Sequence, residues 1–346
     1  MRRLAIGLTV TAVAVIAAFG LVLVLHARSD QASREASAPA PSRAPAPGPV
    51  PGSVMASNGS VRIRDECVAV PHVCGLPDAT NTGVPGQVVL RSVPGQVSSG
   101  PGWRYNPVER EVDVTGEGAV LSGLSVQCNV NVSASKVTIT NDRVVTGGFF
   151  GISLRNTVGV TIEHSTISGL NATSGRVAYA IDDIYENSTG LVIKDDNISH
   201  FSHGVQVSSG TVTGNYIHDP GYIPGDHIDG IFDPGTTHSL MISYNTILNG
   251  LGQTAAISLD ASATGQAVAN KTVVDNLLGG GGYVIYGGAA RNDRISHIVI
   301  KDNRFSQAYF PKSGQYGPVA YFVTRGKGNA WAGNIWDSSG QTVTAP

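Results

Sequence analysis

One short pattern recurs along the chain and constrains its fold more than any other feature: an apolar strand residue or alternating pair, a short spacer, then usually a small polar residue. It reads Val137-Thr138-Ile139-Thr140-Asn141-Asp142, then Val160-Thr161-Ile162-Glu163-His164-Ser165, and returns as Ile242-Ser243-Tyr244-Asn245 and Ile300-Lys301-Asp302-Asn303. Its last positions form the series Asp142, Ser165, Asp196, Asn215, Asn245, Asn276, Asn303 and Asn334. The steps are unequal, 19 residues from Asp196 to Asn215 and 31 from Asn303 to Asn334. A fixed core at variable intervals fits a coiled β-solenoid, in which strands keep register while the connecting loops vary. A propeller blade needs four strands per repeat, which the shortest step cannot supply. The expected fold is all-β, a parallel β-helix over residues 121–346, with an N-terminal cap and first strands over 59–120. Stacked turns let each marker side chain bond to the next, and asparagine tolerates the left-handed backbone such turns demand. The marker asparagines therefore read as structural.

Between the markers a second strand recurs, as in Gly151-Ile152-Ser153-Leu154, Ala180-Ile181-Asp182-Asp183, Gly204-Val205-Gln206-Val207 and Gly230-Ile231-Phe232-Asp233. If its central aliphatic residue points inward, the next residue points out. That gives an outward column of Ser153, Asp182, Gln206, Phe232, Ser258 and Tyr286. Stacked strands lie about 4.8 Å apart, so matching positions on neighbouring coils sit within roughly 5 to 10 Å. The richest stretch is Gly225-Asp226-His227-Ile228-Asp229-Gly230-Ile231-Phe232-Asp233. By alternation His227 and Asp229 share one side and are expected to pair as acid and base, provided a bend or bulge at Gly230 turns them outward. Asp182 and Asp183 form a second acid pair, in which crowding raises one proton affinity while the other carboxyl stays ionised. His203 occupies the position equivalent to Asp229 one coil earlier. These five are the expected catalytic residues. Asp226, Asp233, Phe232, Gln206 and Tyr286 are expected to contact substrate, with His218 overhanging from the loop that leads into the motif. The competing reading makes the aspartates turn caps.

Charge narrows the partners. With 23 basic against 25 acidic residues the formal charge is -2, leaving no basic surplus to release counterions from a nucleic acid. Between Tyr179 and Asp260 the only Lys or Arg is Lys194, which favours carboxylate chemistry, or a carboxylate cluster that binds Ca²⁺. No phosphate loop or dinucleotide fingerprint follows any strand, so no organic cofactor is expected. Residues 1–28 contain the uncharged run Leu4 to Leu25 behind Arg2 and Arg3, long enough for a transmembrane anchor, with a cleaved signal peptide as the alternative. Residues 29–58 are rich in Pro, Ala and Ser and read as an extended tether. Both alternatives put the rest outside the cell, on the membrane's outer face or secreted, as a monomer. In that oxidising setting Cys67 and Cys74 are expected to pair and Cys128 to be a buried thiol.

The segment Cys74-Gly75-Leu76-Pro77-Asp78-Ala79-Thr80-Asn81-Thr82-Gly83-Val84-Pro85, together with the repeat, resembles a secreted bacterial subgroup of the pectate-lyase-like superfamily. That resemblance covers about Cys67 to the C-terminus. It implies a right-handed parallel β-helix and a polysaccharide as substrate or ligand, acted on by a lyase or glycoside hydrolase, or bound by a non-catalytic adhesion module. The polygalacturonase pattern of Asn-Thr-Asp, Asp-Asp, Gly-His-Gly and Arg-x-Lys is matched here only by Asp182-Asp183 and His203-Gly204. The resemblance thus carries a fold and a substrate class, but no catalytic residue.

Overall fold

The structure, a computed structural model, describes residues 66–260, 266–288 and 294–345. The expected anchor over 1–28 and tether over 29–58 lie outside these residues. Among the described residues no helix is long and apolar enough to cross a membrane.

Each coil passes through three sheets in a fixed order, as in Val120–Ser122, Leu124–Val126 and Val130–Val132. Sheet I has ten strands, from Arg91–Val93 to Ile335–Trp336. Sheet II has eleven, from Ser99–Gly100 to Gly317–Ala320, and sheet III nine, from Val120–Ser122 to Ala330–Ala332. The strand pairings are parallel except at the start of sheet II, where Ser99–Gly100, Trp103–Asn106 and Glu111–Val114 form antiparallel hairpins. The protein is therefore an all-β parallel solenoid. Like residues stack along its core: Ile139, Ile162, Ile193, Val212, Ile242, Val273 and Ile300 align through sheet III and are all buried. β-Branched side chains suit such a column because their χ1 is already restricted and their shape packs against an identical neighbour.

The marker series is a buried ladder at the turn from sheet III to sheet I. Asp142 N–H donates to Ser165 Oγ at 3.1 Å, Ser165 N–H to Asp196 Oδ1 at 2.7 Å and Asp196 N–H to Asn215 Oδ1 at 2.9 Å. The same bond links Asn215, Asn245, Asn276, Asn303 and Asn334 at 2.9 to 3.0 Å. Each amide also returns a proton to the preceding coil, as from Asn215 Nδ2 to Ile193 O and from Asn245 Nδ2 to Val212 O. The left-handed backbone falls one residue earlier than expected. Asn141, His164, Asp195, Tyr244, Asp275 and Asp302 hold φ between 48° and 57°, and glycines fill the same position at 214 and 333. Division of labour explains the shift: the preceding residue reverses the chain, so the marker can point inward with ordinary dihedrals.

A disulfide joins Cys67 to Cys74, with Cα atoms 5.5 Å apart. The segment around it forms a strap more than a cap. Cys67 and Leu76 pack on Leu277, the Tyr244 hydroxyl donates to Gly75 O, and Gly83 N–H donates to Asp195 O at 2.9 Å. Val84 N–H reaches Thr166 Oγ1, and Arg91–Val93 then pairs with Leu124–Val126. The strap thus runs against the coil order, from late coils to early ones, before it becomes the first strand of sheet I. Cys128, expected as a buried thiol, is half-buried after Leu124–Val126, packed against the core; desolvation, then Glu111, pushes it up to about 11.

Candidate functional site

Seven strands of sheet II present the candidate face: β1 (Phe150–Leu154), β2 (Val177–Asp183), β3 (Phe201–Gln206), β4 (Asp229–Asp233), β5 (Ala255–Leu259), β6 (Tyr283–Tyr286) and β7 (Gly317–Ala320). Ser153, Asp182, Gln206, Phe232, Ser258 and Tyr286 align in one column across β1 to β6. Phe150, Tyr179, His203, Asp229 and Ala255 align in another. Between the columns lie Gly151, Ala180, Gly204, Gly230 and Ala256, which the strand register passes over. A Cβ on Gly230 would collide with Ile247 Cγ2 and with Ala256 O at 2.6 Å. The bend expected at Gly230 is therefore shared by neighbouring strands, recurring from β1 to β5. It lets Ile231 and Asp229, two positions apart, face opposite sides.

His203 stands at the centre. Its ring stacks on Tyr179 at 4.8 Å and 10° and lies 5.5 Å from the Phe232 ring. Its Nδ1 is 3.4 Å from Oδ2 of Asp229, outside hydrogen-bond geometry; Asp229 is 2% exposed, and His203 Nδ1 and Asp229 Oδ1 are both buried without a hydrogen-bond partner. Such a carboxylate can hold the imidazole in orientation while the other ring nitrogen exchanges a proton. Tyr179 feels both acids of the face: desolvation, followed by the charges of Asp182 and Asp229, pushes its phenol up to about 12. Tyr286 is raised too, by burial first, with Tyr321 and Asp229 adding.

Asp182 is the second chemical group. It lies on β2, one strand from His203 and three residues further along, which places their Cα atoms roughly 11 Å apart in a regular sheet. It is 4% exposed, and its Oδ1 is buried without a hydrogen-bond partner. Desolvation, then the charges of Asp183 and Glu186, pushes it up to about 8, so it is neutral at pH 7.

The other expected residues separate from this centre. His227 is exposed, with Nδ1 3.4 Å from Thr254 Oγ1, and the expected His227–Asp229 pair does not form. The strand begins at Asp229, so alternation does not extend back to His227. Asp183 does not share the face with Asp182, being fully buried and accepting from Ser188 N–H and Oγ–H at 2.9 and 2.7 Å, although its charge does raise the proton affinity of Asp182 as the expected crowding requires. Asp233 is also fully buried, 3.0 Å from Lys271 Nζ though outside hydrogen-bond geometry. Asp226 sits at the edge, bidentate to Arg176 at 2.6 and 2.7 Å and accepting from Ser202 and from Ile223 N–H. Burial raises its carboxyl, but those bonds outweigh it and hold the group below its ordinary value. His218 does not overhang the face. It belongs to a sheet I strand, Tyr216–His218, where it contacts Asp219 and Asn197. Gln206, Phe232 and Tyr286 remain on the outer face, partly exposed.

Three participants went unrecognised in the sequence: Tyr179, Arg176 and Lys271. Tyr179 was legible from register, since it precedes Asp182 as His203 precedes Gln206. Lys271 shares parity with Ala269 and Val273, both buried, so period two already points it inward. Among the described residues no three His, Cys, Asp or Glu side chains come together to hold a metal ion. Comparison with protein-family models and with curated proteins gives no match.

Proposed function

We propose that this protein is a pectate-lyase-like right-handed β-helix that binds an extracellular polysaccharide along the outer face of sheet II and hydrolyses it there. The observation that carries the reading is His203, sandwiched between Tyr179 and Phe232 and backed by the buried Asp229. Aromatic rings offer flat faces to sugar C–H groups, and a carboxylate-oriented histidine can take a proton from water. Asp182, held neutral, supplies a proton to the departing glycosidic oxygen. Asp182 and His203 lie on neighbouring strands, one in each column of the face, so that a sugar chain laid across the columns meets both. The protein acts outside the cell, tethered to the membrane's outer face or secreted, with Ca²⁺ as the one inorganic ion to be tried.

The test incubates the purified protein with a panel of polysaccharides, scoring new reducing ends and ultraviolet-absorbing unsaturated ends separately. Reducing ends without unsaturated ends are expected, with a loss on the order of 10²-fold or more in Asp182→Asn and in His203→Ala. Activity unchanged in both variants would remove the site assignment. The proton donor also sets a pH limit. Only protonated Asp182 can donate, so activity is expected to fall as pH rises through about 8. A flat profile from pH 6 to 10 would contradict that role.

A second reading, binding without cleavage, draws on one observation: no other carboxyl of the Gly225–Asp233 stretch shares the centre with Asp229, since Asp226 and Asp233 are engaged elsewhere. Retention on a polysaccharide with no new ends would favour it.

A further inference from the structure

We infer that the glycan accepted by this face is a neutral one, carrying neither uronate nor sulfate groups, even though the fold resembles proteins that act on pectate. The inference rests on the polysaccharide reading above and concerns the same face.

The two outer columns contain aromatic, hydroxyl, amide, imidazole and carboxyl side chains from Phe150 to Tyr286, but no Lys or Arg. A uronate polymer brings one carboxylate per residue, and each needs a cation or a metal bridge as it leaves bulk water. Among the described residues, two guanidinium groups beside the columns, those of Arg176 and Arg155, are committed. Arg176 gives two bonds to Asp226, and Arg155 gives Nε–H to Asn131 Oδ1 at 2.6 Å and a second bond to Tyr185. Arg110 lies at the N-terminal end, in a depression shared with Tyr105, Asn129, Phe149 and Phe150, away from His203.

What the face offers suits a neutral chain. Asp182 and Asp229 belong to the two columns, at 4% and 2% exposure, with Asp229 beside His203. A sugar carboxylate brought against Asp229 would meet like charge with no cation in the columns to offset it, whereas a neutral hydroxyl meets no such opposition. The rings continue along the axis: Phe149, Phe150, Tyr179, His203 and Phe232 follow with centroids 4.7 to 6.0 Å apart, and Tyr283, Tyr286, Tyr316 and Tyr321 form a second group at 5.4 to 5.8 Å. Beyond Arg110, which lies beside Phe149 and Phe150 at the N-terminal end, the two columns add no positive charge.

Affinity electrophoresis of the whole protein in gels containing mixed-linkage glucan, galactomannan, polygalacturonate or chondroitin sulfate tests this, each with Ca²⁺ and with a chelator. Retardation by a neutral polymer, unchanged by chelator and weakened about tenfold or more in Phe232→Ala, is the expected result. Stronger retardation by polygalacturonate or chondroitin sulfate, with or without Ca²⁺, overturns the neutral-glycan inference and leaves the polysaccharide reading standing. Retardation by none of the four overturns both. A neutral polymer that retards Phe232→Ala and Tyr179→Ala as strongly as the parent protein also overturns the inference, because binding then lies off this face.

Discussion

Lys271→Met is expected to destabilise the protein by about 3 to 5 kcal/mol in chemical denaturation, the usual effect of removing one partner from a buried ion pair. Lys271 leaves sheet III and ends with its Nζ 3.0 Å from Asp233 Oδ2, and both side chains are fully buried. The ammonium also donates to Ser208 O, Thr236 Oγ1 and His238 O at 2.9 to 3.2 Å. Burial alone pushes Asp233 up and Lys271 down, and their contact opposes both shifts. Removing the lysine leaves a carboxyl that must be buried unpaired or take up a proton. Lys271→Met combined with Asp233→Leu should therefore recover most of the loss, since apolar replacement of a buried pair is often near neutral. A single variant within about 1 kcal/mol of the parent would show that the pair contributes little here.

The second large effect concerns the two acids in the asparagine ladder. Asp196 is fully buried, and burial holds its carboxyl well above the ordinary range; Asp142 is pushed up to about 7, by burial first. In each, Oδ1 accepts a backbone N–H as an asparagine would, from Ser165 and Leu124 respectively. The Oδ2 atoms have no hydrogen-bond partner, at the position where Asn215 and Asn245 place an NH₂ that donates to a carbonyl of the preceding coil. Only a proton makes the aspartate equivalent. Because the folded state binds that proton more tightly than the unfolded chain, stability is fullest below about pH 4 and falls as pH rises towards the raised folded value. For Asp142 that window runs from about pH 4 to about 7. Asp142→Asn should raise stability at neutral pH, on the order of a few kcal/mol, and flatten its dependence on pH over that window, and Asp196→Asn should change both in the same direction. Thermal melts from pH 4 to 8 give the measurement. A variant that melts lower than the parent at pH 7 would mean that these positions need the carboxyl itself.

The ladder shows how much of the fold was legible. All eight markers proposed from the repeat are members of it, because an inward-pointing polar residue at a tight turn leaves a mark that loop-length variation does not blur. The register of the outer columns was legible too, down to His203 beneath Asp229. The site was legible only in part. Alternation describes residues inside a strand, and His227 lies outside one. Asp182 and Asp183 looked like a pair in the sequence, yet successive strand residues face opposite ways, so only Asp182 reaches the outer face. Arg176 and Asp226 meet across 50 positions of chain, and no local pattern announces such a contact.

The strap has a mechanical consequence. A pull transmitted through the chain ahead of Glu66 does not enter the solenoid at its first coil. It enters beside Leu277 and Tyr244, where the disulfide-closed loop is seated, and the strap then runs back towards Leu124. Tension is thereby spread along the contacts of several coils loaded side by side, a geometry in which bonds share force, whereas peeling from one end would break them one at a time.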